Sequence, residues 1–276
     1  MASSNGRFAV VWSDAWGDSA NSGGDQSLDA VYMQIFSNDG TKLGSEIQVN
    51  IETTNNQSAP KIAALSDGSF LVTWVDNHLS ATTYDVYMQR FAADGSRLSS
   101  ADQLVTGGFT TGNQGVYGTA NAERAQQHDV IALAGGGWVV SFVDNSTGTG
   151  IGTRNVLANI YDAAGNLMSS NLQLAGVFSG TDEYYPSLAP LANGGFVASW
   201  TSTNLVMGDT SGTGTYMRYF DESGNVRSLS EFEAGGTPVA IEPGMLVGGS
   251  TNADAYNQAL GSAVADQVYF SDFVVQ

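Results

Sequence analysis

The 276-residue chain has no cysteine, five prolines, two histidines and only nine lysines and arginines together. Without cysteine there are no disulfides, thiolate zinc sites or thiol nucleophiles. Against 27 aspartates and glutamates the few basic residues leave a net charge of −18, and such a field repels polyanions, so nucleic acid is not an expected partner. No stretch approaches the ~18 consecutive apolar residues of a spanning helix, so membrane insertion is not expected. The opening residues MASSNGRF lack the basic and apolar regions of a signal peptide. No G-x-S-x-G elbow, phosphate loop or H-E-x-x-H occurs, which removes the sharper enzyme classes. Helical periodicity is nearly missing too, although a hydrophobic content of 42% suffices for a core.

What is present is a repeat. An apolar phrase returns four times, roughly 60 residues apart, as GRFAVVW, GSFLVTW, GGWVVSF and GGFVASW. A second phrase follows each: AVYMQIF, DVYMQRF, VLANIY and TYMRYF. Then come a glycine turn (Gly40, Gly95, Gly165, Gly224) and a short extended stretch. In three units another segment precedes the first phrase: APKIAALSDG, HDVIALAGGG and YPSLAPLANG. Asp67-Gly68, Gly135-Gly136 and Asn193-Gly194 link it onward, and they are read as two-residue hairpin turns. Phe70, Val72 and Trp74 alternate with Leu71 and Thr73, so these segments are strands. Each unit therefore reads A, B, C, D, a four-stranded antiparallel meander.

Sheets that are apolar on both faces must stack against copies of themselves, so the expected fold is an all-β propeller of four or five blades. It is treated as one domain, with units at about 5–50, 58–106, 129–175 and 185–234 and an irregular segment over 235–276. The first unit lacks strand A. The C-terminal DQVYFSDFVVQ is expected to supply it and so close the ring by joining the N- and C-terminal strands. The repeating aromatics Trp12, Trp74, Trp138, Trp200, Phe36, Phe91 and Phe220 are assigned to the core between blades.

Over residues 58–105 the phrases SAPKIAALSDGSFLVTW and DVYMQRFAADGSRL resemble repeats of very large secreted bacterial proteins, the adhesin-like and haemolysin-type (RTX-like) polypeptides. The resemblance implies a secreted or cell-surface setting with a role in attachment. The calcium-binding nonapeptide G-G-x-G-x-D of those proteins is missing, so calcium is not carried over from them, and no family catalytic residue matches.

Candidate functional residues gather in the connections from B to C and from D to A, which lie on one face and include the longest loops. Asp14, Asp76 and Asp144 open three B–C loops in register. They read either as carboxylates for a hard cation or sugar hydroxyls, or as residues that close their own loops on backbone N–H groups. The first loop adds Asp18 and Asp25, which with Asp14 form a candidate calcium site, and Trp16, a candidate sugar-stacking indole. Tyr185 is a further ligand-binding candidate. His78 and His128, the only histidines, are candidates for acid–base catalysis together with Arg124 and Tyr184. The favoured expectation is a non-catalytic binding and adhesion module with carbohydrate as partner and no certain cofactor. Its alternatives are a polysaccharide-degrading lyase or hydrolase, and a structural repeat subunit that associates with itself.

Overall fold

The computed structural model describes residues 6–14, 29–79, 84–106, 127–144, 154–175, 182–192, 194–202, 214–227 and the backbone of 245–249. The strands fall where the repeated phrases are. The first sheet holds β1 (Arg7–Asp14), β2 (Ala30–Ser37) and β3 (Lys42–Gln48) in the order β1-β2-β3. The second holds β4 (Gln57–Ala64), β5 (Phe70–Asp76), β6 (Asp85–Phe91) and β7 (Gln103–Leu104), again in chain order. The third consists of β8 (His128–Ala132), β9 (Trp138–Asp144), β10 (Asn155–Tyr161) and β11 (Leu167–Gln173). The fourth runs β12 (Glu183–Pro190), β13 (Phe196–Ser202), β14 (Gly214–Phe220), β15 (Val226–Arg227). A further strand, β16 (Met245–Gly249), pairs with Gly214–Met217 of β14, while β15 pairs with Tyr219 and Phe220. Residues 245–249, unmatched to the repeat in sequence, thus extend the fourth sheet. The chain forms two compact units, Met1–Ala132 and Leu133–Gln276.

The strands β5, β9 and β10 are buried along their whole length, which is why their phrases are mostly apolar and carry few polar residues. In the first unit, Phe70, Val72, Trp74, Tyr87 and Phe91 pack against Val31, Met33, Ile35 and Val49. Burial of each large side chain contributes on the order of 2–3 kcal/mol. Cross-strand rings recur: Trp74 stacks on Tyr87 with centroids 6.4 Å apart, and Trp200 on Tyr216 at 6.3 Å. Trp12 and Phe36 depart from the expected burial and are only half-buried. Among the described residues their sheet has three strands where its neighbours in sequence have four or more, and β1 lies at its edge.

The A–B turns differ from the two-residue reading. Gly68 N donates to Leu65 O at 3.0 Å and Leu65 N to Ser69 O at 2.8 Å, with Gly68 at φ 84°. This is a type I turn completed by a left-handed glycine bulge. The same pairs recur at Leu133–Gly137 and Leu191–Gly195. Asp67 Oδ1 accepts from Ser69 N at 3.0 Å and so fixes the bend. Along strand C a buried amide recurs. Gln34 Nε2 donates to Leu43 O, Gln89 Nε2 to Ser99 O and Ala101 O, and Asn159 Oδ1 accepts from Asn171 N. These amides satisfy backbone groups that the irregular C–D pairing would otherwise leave bare.

Candidate functional site

The B–C loop end of the second sheet gathers the most chemistry among the described residues. Asp76 ends β5 and Asp85 begins β6, directly opposite one another in register. Opposed residues of an antiparallel pair share one face, with Cβ atoms about 5 Å apart. Trp74 and Tyr87 occupy the next pair on that face and form its floor. His78, two residues into the loop, sets its ring over Tyr87 with centroids 5.0 Å apart.

The two carboxylates sit in contrasting surroundings. Asp76 is shut from solvent, and its Oδ1 accepts from His78 N at 2.7 Å and from Gln57 Nε2 at 3.3 Å, while Trp74 Nε1 donates to Oδ2 at 3.3 Å. It closes its own loop, and it also faces His78 Nδ1 at 2.9 Å. Gln57 is held in turn by Asn50, whose Nδ2 donates to Gln57 Oε1 at 3.2 Å and whose Oδ1 accepts from Val31 N at 2.9 Å. A buried polar chain therefore runs from the first sheet to Asp76. Asp85 is partly exposed and accepts a hydrogen bond from the Thr106 hydroxyl at 2.9 Å. Burial raises its pKa first of all and the Asp76 charge raises it further, against the lowering pull of Thr106 and His78. Tyr87 is pushed up by burial and by Asp85 and Asp76, so it stays a neutral phenol. Asp102 is raised by burial as well, although its Oδ2 accepts from Ile51 N at 2.8 Å and Glu52 N at 3.0 Å.

The expected site residues separate accordingly. Asp76 and His78 come together, joined by Asp85, which the sequence reading did not single out. Asp14 ends β1 opposite Ala30, and Asp144 ends β9 opposite Asn155. His128 lies on β8, 1% exposed, with Lys61 and the Thr73 backbone as neighbours. Neither ring nitrogen makes a hydrogen bond of normal geometry, and burial together with Lys61 lowers its pKa to about 3. A neutral imidazole sealed in this way cannot meet a substrate, which corrects its candidacy as acid or base. Tyr184 and Tyr185 are neighbours on β12 with rings edge to face at 5.3 Å. Trp16, Asp18, Asp25 and Arg124 lie outside the described residues. Among the described residues no three His, Asp or Glu side chains converge to hold a metal ion.

No family model matches the sequence, and no curated protein matches it. Solved structures do. An α-L-arabinanase from Penicillium chrysogenum, complexed with arabinobiose, superposes with a TM-score of 0.52 at 13% identity over 84% of this chain. The fold is of the β-propeller class. The chain spans 66% of that arabinanase. A Dyadobacter fermentans protein of unknown function gives 0.49 at 11% identity over 81% of this chain and 64% of its own. The α-L-arabinofuranosidase of Fusarium graminearum gives 0.48 at 11% over 83% and 67%. The expectation of a non-catalytic adhesion module is corrected here: the neighbour that superposes at 0.52 is named as an arabinanase, in line with the polysaccharide-degrading alternative, and at 13% identity the likeness itself shows the fold alone.

Proposed function

We propose that the protein is a polysaccharide-cleaving enzyme that works by glycoside hydrolysis. The observation that carries this reading is the opposed pair Asp76 and Asp85 with His78 beside it. Hydrolysis of a glycosidic bond needs a proton donor for the leaving oxygen and a base for the attacking water. Asp85, partly exposed and raised by burial, is the donor. His78, whose Nδ1 faces Asp76, is the base acting through its other nitrogen. Water adds to the anomeric carbon as the bond to the leaving oxygen breaks; its proton passes to His78, and the proton of Asp85 goes to the leaving hydroxyl.

Lysis fits less well, because a uronate would meet Asp76, Asp85, Asp102 and Glu52, which all bear on Tyr87. The arabinanase likeness makes arabinan the first polymer to try. Release of reducing ends from arabinan and from a panel of neutral polysaccharides tests the reading. Asp85→Asn should lower the rate about a hundredfold or more, the usual contribution of a positioned acid. The segment expected to close the ring, residues 266–276, lies outside the described residues.

A further inference from the structure

A tyrosine on β12 is held where the backbone disfavours it. Tyr185 has φ 56°, in the left-handed region, and Pro186 follows it. Bulky side chains rarely adopt that region, and a following proline restricts the residue before it to extended conformations. The cause is a bulge between Tyr184 and Ser187 in the pairing of β12 with β13. The same bulge lies between Ser58 and Lys61 on β4, where Ala59 has φ 53° and Pro60 follows. One backbone device thus occurs twice, and at β4 it is made with a methyl group. The fold does not require an aromatic ring at this position.

At β12 Tyr185 is 41% exposed. It stands on the edge strand of its sheet, two residues from Glu183, which pairs with Ser202 at the loop end of β13. The Tyr184 ring meets it edge to face at 5.3 Å and braces it. Bulges re-aim side chains, and this one carries an exposed aromatic residue where its counterpart on β4 carries a methyl group. We infer that Tyr185, braced by Tyr184, is a stacking platform for the apolar face of a sugar ring, a binding subsite of the polysaccharide substrate. The inference rests on the reading of the protein as a polysaccharide-cleaving enzyme. Stacking on an exposed, pre-positioned ring needs no charge and suits a neutral polymer.

The full chain and its Tyr185→Gly, Tyr185→Asn and Tyr185→Phe variants should be compared for retardation in arabinan-containing gels, for KM and kcat on arabinan, and for thermal midpoint. Glycine and asparagine tolerate the left-handed backbone, so both variants should melt no lower than the parent. Both should bind arabinan about tenfold more weakly, with KM raised and kcat within twofold, as expected for loss of one aromatic contact. Tyr185→Phe keeps the ring and should keep the affinity. Unchanged retardation and KM in the glycine and asparagine variants would overturn the subsite, as would a phenylalanine variant as weak as glycine. A parent chain that neither binds nor cleaves any polysaccharide would instead overturn the underlying reading, and the subsite with it.

Discussion

Lowering the pH from 7.5 to 5 should withdraw the contribution that His128 makes to stability. Its imidazole is buried on β8 beside Lys61, and its pKa falls from 6.5 to about 3. A group whose native pKa is depressed binds protons more readily when unfolded, so unfolding gains as the pH drops through the interval between the two values. At pH 7.5 both states hold a neutral ring and the effect is close to zero. At pH 5 the unfolded ring is almost fully protonated and the native ring is not, which costs about 2 kcal/mol of stability. Moving the native value up by one unit leaves that figure nearly unchanged, because pH 5 would still lie above it.

Asp85 and Asp102, raised by burial, act in the opposite sense and gain stability as the pH falls toward 3.8. A single curve would therefore mix the signs, and the comparison must be between the parent and His128→Leu. Urea unfolding of both at pH 7.5 and pH 5 isolates the histidine. The variant should be about 2 kcal/mol less sensitive to the change, and near the parent at pH 7.5, since leucine also removes two poorly bonded buried nitrogens. Equal pH dependence in the two proteins would refute the burial argument.

The other predictions follow the same physics. Asp85→Asn should abolish the alkaline decline of activity along with most of the rate, because the parent loses its proton donor as pH rises through the elevated pKa of Asp85; a pH–rate profile checks both. Asn50→Ala should cost about 1–3 kcal/mol in urea melts, because Val31 N and Gln57 Oε1 would lose a buried partner. Gly195→Ala should cost about 2–4 kcal/mol, since a Cβ there would lie 2.2 Å from Phe220 O at φ 80°, whereas Gly40→Ala, with open space at φ 85°, should cost only about 1–2 kcal/mol.

Much of the fold was legible because four copies of one pattern reinforce each other. The alternation of Phe70, Val72 and Trp74 placed all three on one face, where they do pack together. Turn chemistry was legible only as far as its glycine: Asp-Gly also fits a type I turn with a glycine bulge, and the deciding Leu65–Ser69 pairing is a backbone matter. Trp12 and Phe36 resembled their repeat partners, yet their burial depends on neighbours that sequence similarity within the repeat does not specify.

Asp76 was legible as a repeated acid, and its repetition argued for a structural task that it does perform on His78 N. Asp85 went unseen because it stands inside a phrase read as core. The available signal was a mismatch: the residues opposite the loop-opening positions are Ala30, Asp85, Asn155 and Gly214. Only the second sheet sets an acid against an acid. His128 misled for the converse reason, since its place just before an apolar run gives no sign of which face the ring joins.

The most direct test of the account is reducing-end release from arabinan and a panel of neutral polysaccharides by the parent chain, beside Asp85→Asn and His78→Gln. The account predicts turnover by the parent that each substitution cuts by about a hundredfold or more, with both variants folded. No release from any polysaccharide by the folded parent, or release that both variants retain, would contradict it.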